Sequence, residues 1–306
     1  LSVAPRIGIA LYPDDAQTRE ELVRCAHIAM SDAVLRKTPY VFFDAELHHA
    51  VQGRIALGAE LGEALKNGQF ELHYQPIVNA RGQVVGAEAL LRWRHPMRGL
   101  VLPGEILPAA GEAGVMVSIG RWVFFEACQQ VKSWSEENDL FVTVNMTAGE
   151  FLDSHMLESV HHAIERSGIR ASQIKIEITE SAAMENPREA IRRIRALERM
   201  GVDVLIDDFG TGQSSLAYLR NLPARILKLD KSFTSDLDDP EIGHDFLRHV
   251  IAAMKSLSKI VLLEGVKNKN EARDAAALSF DLMQGMYFGA PVPAAEFSSL
   301  LKSTGR

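Results

Sequence analysis

The chain sets an apolar, β-branched run, Val204-Leu205-Ile206, against two adjacent aspartates, Asp207 and Asp208, followed by Phe209-Gly210-Thr211-Gly212. The run reads as a buried strand and the glycines as a turn. Two like charges at one strand end repel each other. They are held more easily with a cation between them, because burying like charges unpaired is costly. A lone Asp-Asp pair would fit a solvated cap for the next helix better. The other strand-like runs therefore decide the reading. Glu88, Asn145, Glu177 with Glu180, Lys228, Glu264 and Gln284 each lie at or near the end of such a run.

If those ends meet at one rim, five or six carboxylates, an amide and a lysine line a single mouth. Taken singly, a buried glutamate on a strand is usually a satisfied structural carboxylate. A whole series of them, buried without a ligand, would be strongly destabilising. Oxygen donors select hard cations such as Mg²⁺ or Mn²⁺ over zinc. Adjacent aspartates suit two ions sharing a carboxylate, the clamp used for in-line displacement at phosphorus. Lys228 could orient a water or stabilise charge on a phosphate, and Arg92 could grip a nonreacting phosphate bidentately.

The elements that must position these groups follow a repeating grammar. Strand-like runs fall at 70–78, 84–93, 141–147, 174–180, 202–209, 226–230, 260–266 and 282–288. Helical patterns fall at 117–137, 155–167, 187–200, 214–221, 240–258 and 270–278. Eight strands alternating with helices predict an α/β fold, a closed (β/α)8 TIM-type barrel with its active site at the C-terminal rim. Asn79-Ala80-Arg81-Gly82 reads as a hairpin turn, so the first strand should run antiparallel. Upstream, 5–43 reads as strand, helix and strand, too little for an independent core. A connecting helix follows over 44–67. The expected organisation is a short N-terminal α+β remnant at 1–43, a linker helix at 44–67 and the barrel at 68–306.

Composition sets outer bounds. The 306 residues are 47% hydrophobic and 24% charged, ordinary for a globular protein. A net charge of −7 argues against nonspecific binding to nucleic-acid backbones, so no DNA or RNA duplex partner is expected. Cys25 and Cys128 sit in helical apolar patterns and read as buried free thiols of a cytoplasmic domain. No apolar run is long enough to span a bilayer. The first residue is Leu, which leaves room for an upstream membrane anchor or sensor. His48-His49 and His161-His162 read as polar helix faces, and the basic stretch 188–199 as a solvated outer helix.

At these residues the chain resembles the EAL-domain family of bacterial cyclic di-GMP phosphodiesterases. Glu88-Ala89-Leu90 is the namesake, preceded by Tyr74-Gln75-Pro76-Ile77 and followed by Arg92-Trp93 and His95-Pro96. Asn145, Glu177 with Glu180, Asp207-Asp208-Phe209-Gly210-Thr211-Gly212, Lys228-Leu229-Asp230, Glu264-Gly265-Val266 and Gln284-Gly285 fall in family order. The resemblance covers about four-fifths of the chain. It implies a barrel holding two Mg²⁺ or Mn²⁺ ions that opens cyclic di-GMP to linear pGpG. It further implies Glu88, Asn145, Glu177 and Asp207 on one ion, and Asp207, Asp208 and Glu264 on the other. Lys228 would contact the attacking water, Gln75, Arg92 and Gln284 the substrate, and Glu180 the loop after Asp208. A homodimer is expected, as is fusion to sensor and GGDEF domains. Residues 5–43 resemble the tail of a GGDEF domain without its catalytic loop.

Two positions depart from the family pattern. Lys267 stands where the family usually carries a second acid after Glu264-Gly265-Val266, and Gln213 replaces a common aromatic. Three readings follow from the residues. The chain is a metal-dependent phosphodiesterase, a noncatalytic receptor for the dinucleotide weakened by Lys267, or an unrelated carboxylate barrel such as a Mg²⁺-dependent lyase. The ordered motif series favours the first over the third, and the complete ligand set favours it over the second.

Overall fold

The computed structural model of the chain describes residues 5–35, 38–134, 140–210, 216–239 and 242–304. They group into two compact units, Leu1–Phe70 with Trp93–Met116, and Glu71–Arg92 with Val117–Arg306.

The larger unit is built on a closed barrel. Its strands are Phe70–Asn79, Val84–His95, Phe141–Asn145, Ile174–Thr179, Asp203–Phe209, Ile226–Leu229, Ile260–Leu263 and Leu282–Gln284. From Val84–His95 through to Leu282–Gln284, neighbours pair in parallel. The first strand pairs antiparallel with the last, Gln284 facing Ile77, and closes the barrel against Val84–His95. The hairpin between the first two strands forms because Asn79 accepts the amide N–H groups of Arg81 and Gln83 through its side chain. Gly82, at φ 75, supplies the left-handed turn.

Side chains alternate along a strand, so every second residue points inward. Ile77, Leu205, Ile226, Leu262 and Leu282, one from each of five strands, form an apolar layer across the barrel. Each such buried side chain contributes about 1.5–3 kcal/mol. Two residues further along, Asp207, Lys228, Glu264 and Gln284 replace the aliphatics, and the interior turns polar toward the C-terminal mouth. Toward the opposite end lies a separate polar pair, Lys175 and Asp203 at 2.6 Å, with Lys175 also 5.0 Å over the Phe141 ring.

Five of the parallel strands, those ending at Asn145, Thr179, Leu229, Leu263 and Gln284, stop one to four residues earlier than their apolar patterns suggest. Thr147, just past its strand, and Thr179, the last residue of its strand, cap the helices Ala148–Leu152 and Glu180–Glu185. Gly265 takes φ 77 beyond Leu263, where a Cβ would lie 2.5 Å from that of Lys231. Glu180 therefore opens a helix, and Glu264 stands in a loop just past its strand. Cys25 and Cys128 are buried free thiols. No helix among the described residues is long and apolar enough to cross a membrane.

In the smaller unit, Ile7–Ile9 and Tyr40–Phe42 pair in parallel. The helix Arg19–Leu35 packs on them. The helix Ala45–Lys66 is capped by Asp44 and adds Leu47 and Val51 to a small core with Ala29. Gly58 lets this helix approach Pro103–Glu112 closely, its absent Cβ falling 3.1 Å from the Ala109 carbonyl oxygen.

Gly86 pairs with Phe141 on the neighbouring strand, and a Cβ there would lie 2.7 Å from the ring. Gly86→Val should therefore cost about 1–3 kcal/mol, measured by denaturant unfolding. The Phe141→Ala background should remove most of the penalty; an equal penalty in both backgrounds would refute the clash.

Candidate active site

The strand register carries the functional side chains to one place. Asn145 pairs with Glu177, and Thr179 with Asp207, along three consecutive strands. At their centre lies Lys228, 1% exposed. Its Nζ is 2.6 Å from Glu264, 2.8 Å from Glu177, 3.1 Å from Glu88 and 3.5 Å from Asp207. Asn145 donates to Glu88 Oε1 at 2.6 Å, and Gln284 donates to Glu88 Oε2 at 2.7 Å. Gln284 also donates to Gln75 at 3.0 Å, and Gln75 donates to the Gly289 carbonyl at 3.2 Å. Eight of the side chains singled out in the sequence, from eight different strands or strand ends, thus connect through one hydrogen-bonded and ionic network.

The electrostatics follow from one cation among several anions in a water-poor space. Burial alone would discharge Lys228, but Glu177, Glu88, Glu264 and Asp207 raise its pKa well above the ordinary lysine value. It is a permanent cation, a donor that cannot accept a proton. Glu88 is opposed by burial too, yet Lys228 and donors from Gln284 and Asn145 hold its pKa below the ordinary value. Glu177 and Glu264 go the other way. Burial outweighs Lys228, and neighbouring carboxylates assist, so Glu177 is pushed up to about 8 and Glu264 to about 7. One ammonium is too little positive charge for this cage.

Asp208 takes a left-handed conformation, φ 54, its N–H donating to Asp207 Oδ1 at 2.9 Å. This strained turn moves the second aspartate out of the strand's alternation. Oxygens of Asp207, Asp208 and Glu264 come within 4.8 Å of one another. Glu180 Oε2 accepts the N–H of Gly210 at 3.0 Å, tying the following loop to the neighbouring helix. Residues 211–215, with Gln213, lie outside the described residues, as do the side chains of His48 and His49. Arg92 is buried on the strand of Glu88 and donates to the Leu91 carbonyl at 2.8 Å. Burial lowers its pKa, with Glu88 and Glu71 opposing.

Two corrections concern charged residues outside the cage. Lys267 is exposed, and its backbone N–H is taken by Glu271 at 2.6 Å, while Glu264 is held by Lys228. Among the described residues Lys228, and not Lys267, is the cation that pairs with Glu264. The basic stretch 188–199 is not wholly solvated either. Arg193 is 8% exposed and donates to the carbonyls of Phe151, Leu152 and Asp153. It holds the C-terminal end of Ala148–Leu152, the helix that follows Asn145. Its signal was its position on the inward face of an otherwise polar helix, beside Ala190, Ile194 and Leu197. Thr143 was also missed. It is fully buried beside Glu88 in the register, and its hydroxyl has no partner.

The donor set fits hard divalent cations. All the groups offer oxygen, and Glu177 Oε1 is buried with no hydrogen-bond partner. Five carboxylates against the Lys228 ammonium leave four negative charges, the charge that two divalent ions balance.

Residues 59–291 match the family model described as the EAL domain. The chain is similar to the bifunctional diguanylate cyclase/cyclic di-GMP phosphodiesterase MucR of Pseudomonas aeruginosa. They are 38% identical over 296 residues, which are 95% of this chain and 43% of that protein. It is also similar to the cyclic di-GMP phosphodiesterase NbdA of the same organism, 34% identical over 99% of this chain and 39% of that protein. The structure of the PaMucR phosphodiesterase in a c-di-GMP complex aligns with a TM-score of 0.75 at 37% identity, covering 79% of this chain and 99% of that one. The chain spans about two fifths of the length of these curated relatives.

The cage makes stability depend on pH and metal together. Glu177 and Glu264 titrate near 8 and 7 in the fold, against 4.5 for an ordinary glutamate. Between about pH 5 and pH 8 the native state thus holds more protons than the unfolded chain, and stability falls as pH rises. In chelator, the melting temperature should drop across that window. Saturating Mg²⁺ or Mn²⁺ should reverse the slope, because ligation needs the deprotonated carboxylates. A flat melting profile with and without metal would refute this. Lys228→Met should cost about 3–5 kcal/mol in chelator by leaving the carboxylates uncompensated. Divalent metal should recover part of that loss in thermal unfolding.

Proposed function

We propose that this chain, which belongs to the EAL-domain family, hydrolyses one phosphodiester of cyclic di-GMP to give linear pGpG. The observation that carries the reading is the cage itself. Carboxylates from several strand ends meet around one buried lysine at a barrel mouth, and every one of them falls on a family motif.

In this reading Glu88, Asn145, Glu177 and Asp207 hold one divalent ion, and Asp207, Asp208 and Glu264 the other, Mg²⁺ and Mn²⁺ both suiting the donors. When bound, the ions lower the pKa of the attacking water and offset charge on the leaving oxygen. Lys228 directs its protons at the water and at the phosphate oxygens. The carboxylates around it hold its pKa above the ordinary lysine value, so it enters the reading as a proton donor. Arg92 offers the phosphate a forked donor from a buried strand, and Gln75 and Gln284 present amides to the substrate. Glu180 fixes the amide of Gly210 and, through it, the turn that carries Asp208. Glu88, Glu177 and Glu264, which pair with Lys228 here, would supply oxygens to the ions.

Residues 1–43 are read as the C-terminal end of a GGDEF-like domain, 44–67 as a linker helix and 68–306 as the EAL barrel. In support, the MucR match spans 95% of the chain, and that protein's name joins a diguanylate cyclase to a phosphodiesterase. A cytoplasmic placement, a homodimer, and upstream sensor or membrane segments complete the reading. The receptor alternative draws no support from Lys267, which is exposed and forms no ion pair with the cage among the described residues.

Incubation of the chain with cyclic di-GMP and Mg²⁺ or Mn²⁺ should release pGpG. Tight binding with no turnover in either metal would overturn the enzyme reading. Asp207→Asn removes the shared ligand and should lower turnover at least about 100-fold with the melting curve of a folded barrel. Near-normal activity would refute the two-ion assignment. Lys267→Glu should change kcat/KM by less than about twofold, as an exposed substitution outside the cage; a large gain would return Lys267 to the site.

A further inference from the structure

On the outer wall of the barrel, the helices Met116–Trp134 and Met156–Ser167 and the short helix Ala148–Leu152 line a half-open pocket of about 350 Å³. Its interior is apolar, built from Phe124, Phe125, Met146, Met156, Val160 and Ala163. Three of these, Phe124, Met156 and Val160, are under 5% exposed, so the walls are set by the fold. Gly120 carries no side chain, and the room this leaves is taken by the Glu150 carboxylate. A Cβ there would collide with Glu150 Oε1 at 1.5 Å. Glu150 is itself fixed, closing the capping box of Ala148–Leu152 with its Oε2 accepting the N–H of Thr147 at 2.8 Å.

The charges at the opening are unequal in availability. Arg121 lies 3.4 Å from Asp153, and Glu150 is turned onto Thr147. Arg166 lies 5.0 Å over the Phe125 ring and has no carboxylate partner among the described residues. An apolar chamber of this volume with one available cation at its lip has the form of a small-molecule site. We propose that this cavity binds a small apolar carboxylate, its chain in the pocket and its head on Arg166.

The site is wired to the cage by covalent and hydrogen-bonded neighbours. Met146, which lines the cavity, directly follows Asn145, and its N–H donates to the Glu177 carbonyl at 2.8 Å. An occupant bears on the segment that carries one cage residue and is bonded to another. Occupancy should therefore alter turnover, a step that rests on the phosphodiesterase reading, whereas binding does not.

Octanoate is the probe, with octyltrimethylammonium as the control of opposite charge, titrated calorimetrically against the whole chain. Octanoate should bind at one site per chain, and the cation should bind at least about tenfold more weakly. Ser159→Trp, which fills the cavity from its lip, should abolish binding, and Arg166→Glu should weaken it about tenfold, with melting temperatures unchanged. Equal binding of both amphiphiles, or binding indifferent to both variants, would overturn the proposal. Octanoate should also change kcat/KM for cyclic di-GMP in the wild-type chain and not in Ser159→Trp. Binding without that change would remove the coupling and leave the site. Absent turnover with normal octanoate binding would strike the phosphodiesterase reading instead.

Discussion

The barrel mouth depends on a mismatch of charge: a single buried ammonium, Lys228, faces Glu88, Glu177, Asp207 and Glu264. Such an arrangement is tolerable because each partner comes from a different strand, so the backbone spaces the anions while the lysine is shared among them. It is incomplete because Glu177 and Glu264 are still driven toward protonation. The residue that keeps the cage folded without metal is thus the same one that would meet substrate charge once ions are present. Structural and chemical roles rest on one amine.

Around that amine the rest of the fold reads as support. The antiparallel first strand brings Gln75 to the side of Gln284, which bridges to Glu88. Asp208 takes a left-handed conformation at an irregularity within its strand, so two consecutive residues reach the same side of the barrel despite the alternation of the pleat. Glu180 and Arg193 hold the pieces that follow the cage strands, the first through the Gly210 amide and the second through three carbonyls. These are anchors of backbone rather than of substrate.

Much of this was legible in the sequence, for a physical reason. A parallel barrel buries its strands on both faces, so an acid or lysine inside an apolar run stands out at once, and barrel topology sends all such run ends to one rim. Glu88, Glu177, Lys228 and Gln284 were visible that way. What sequence periodicity could not give was where each run stops. Thr147, Thr179 and Gly265 end strands by capping or by turning, which are local events weaker than the hydrophobic pattern around them. Sequence adjacency likewise drew attention to Lys267 near Glu264, whereas the cation that pairs with Glu264 is Lys228, from a different strand. Arg193 was hidden among arginines of similar spacing, because its carbonyl partners lie about 40 residues away in the chain.

The apolar layer of Ile77, Leu205, Ile226, Leu262 and Leu282 lies between two polar systems, the Lys175–Asp203 pair and the cage of Lys228. It acts as an electrical insulator inside the protein, with the foundation wired on one side and the chemistry on the other. Charge can be added, lost or rearranged at the mouth with little disturbance of the pair beneath. A lineage built on this plan is free to retune its chemistry, or discard it, while inheriting an intact vessel.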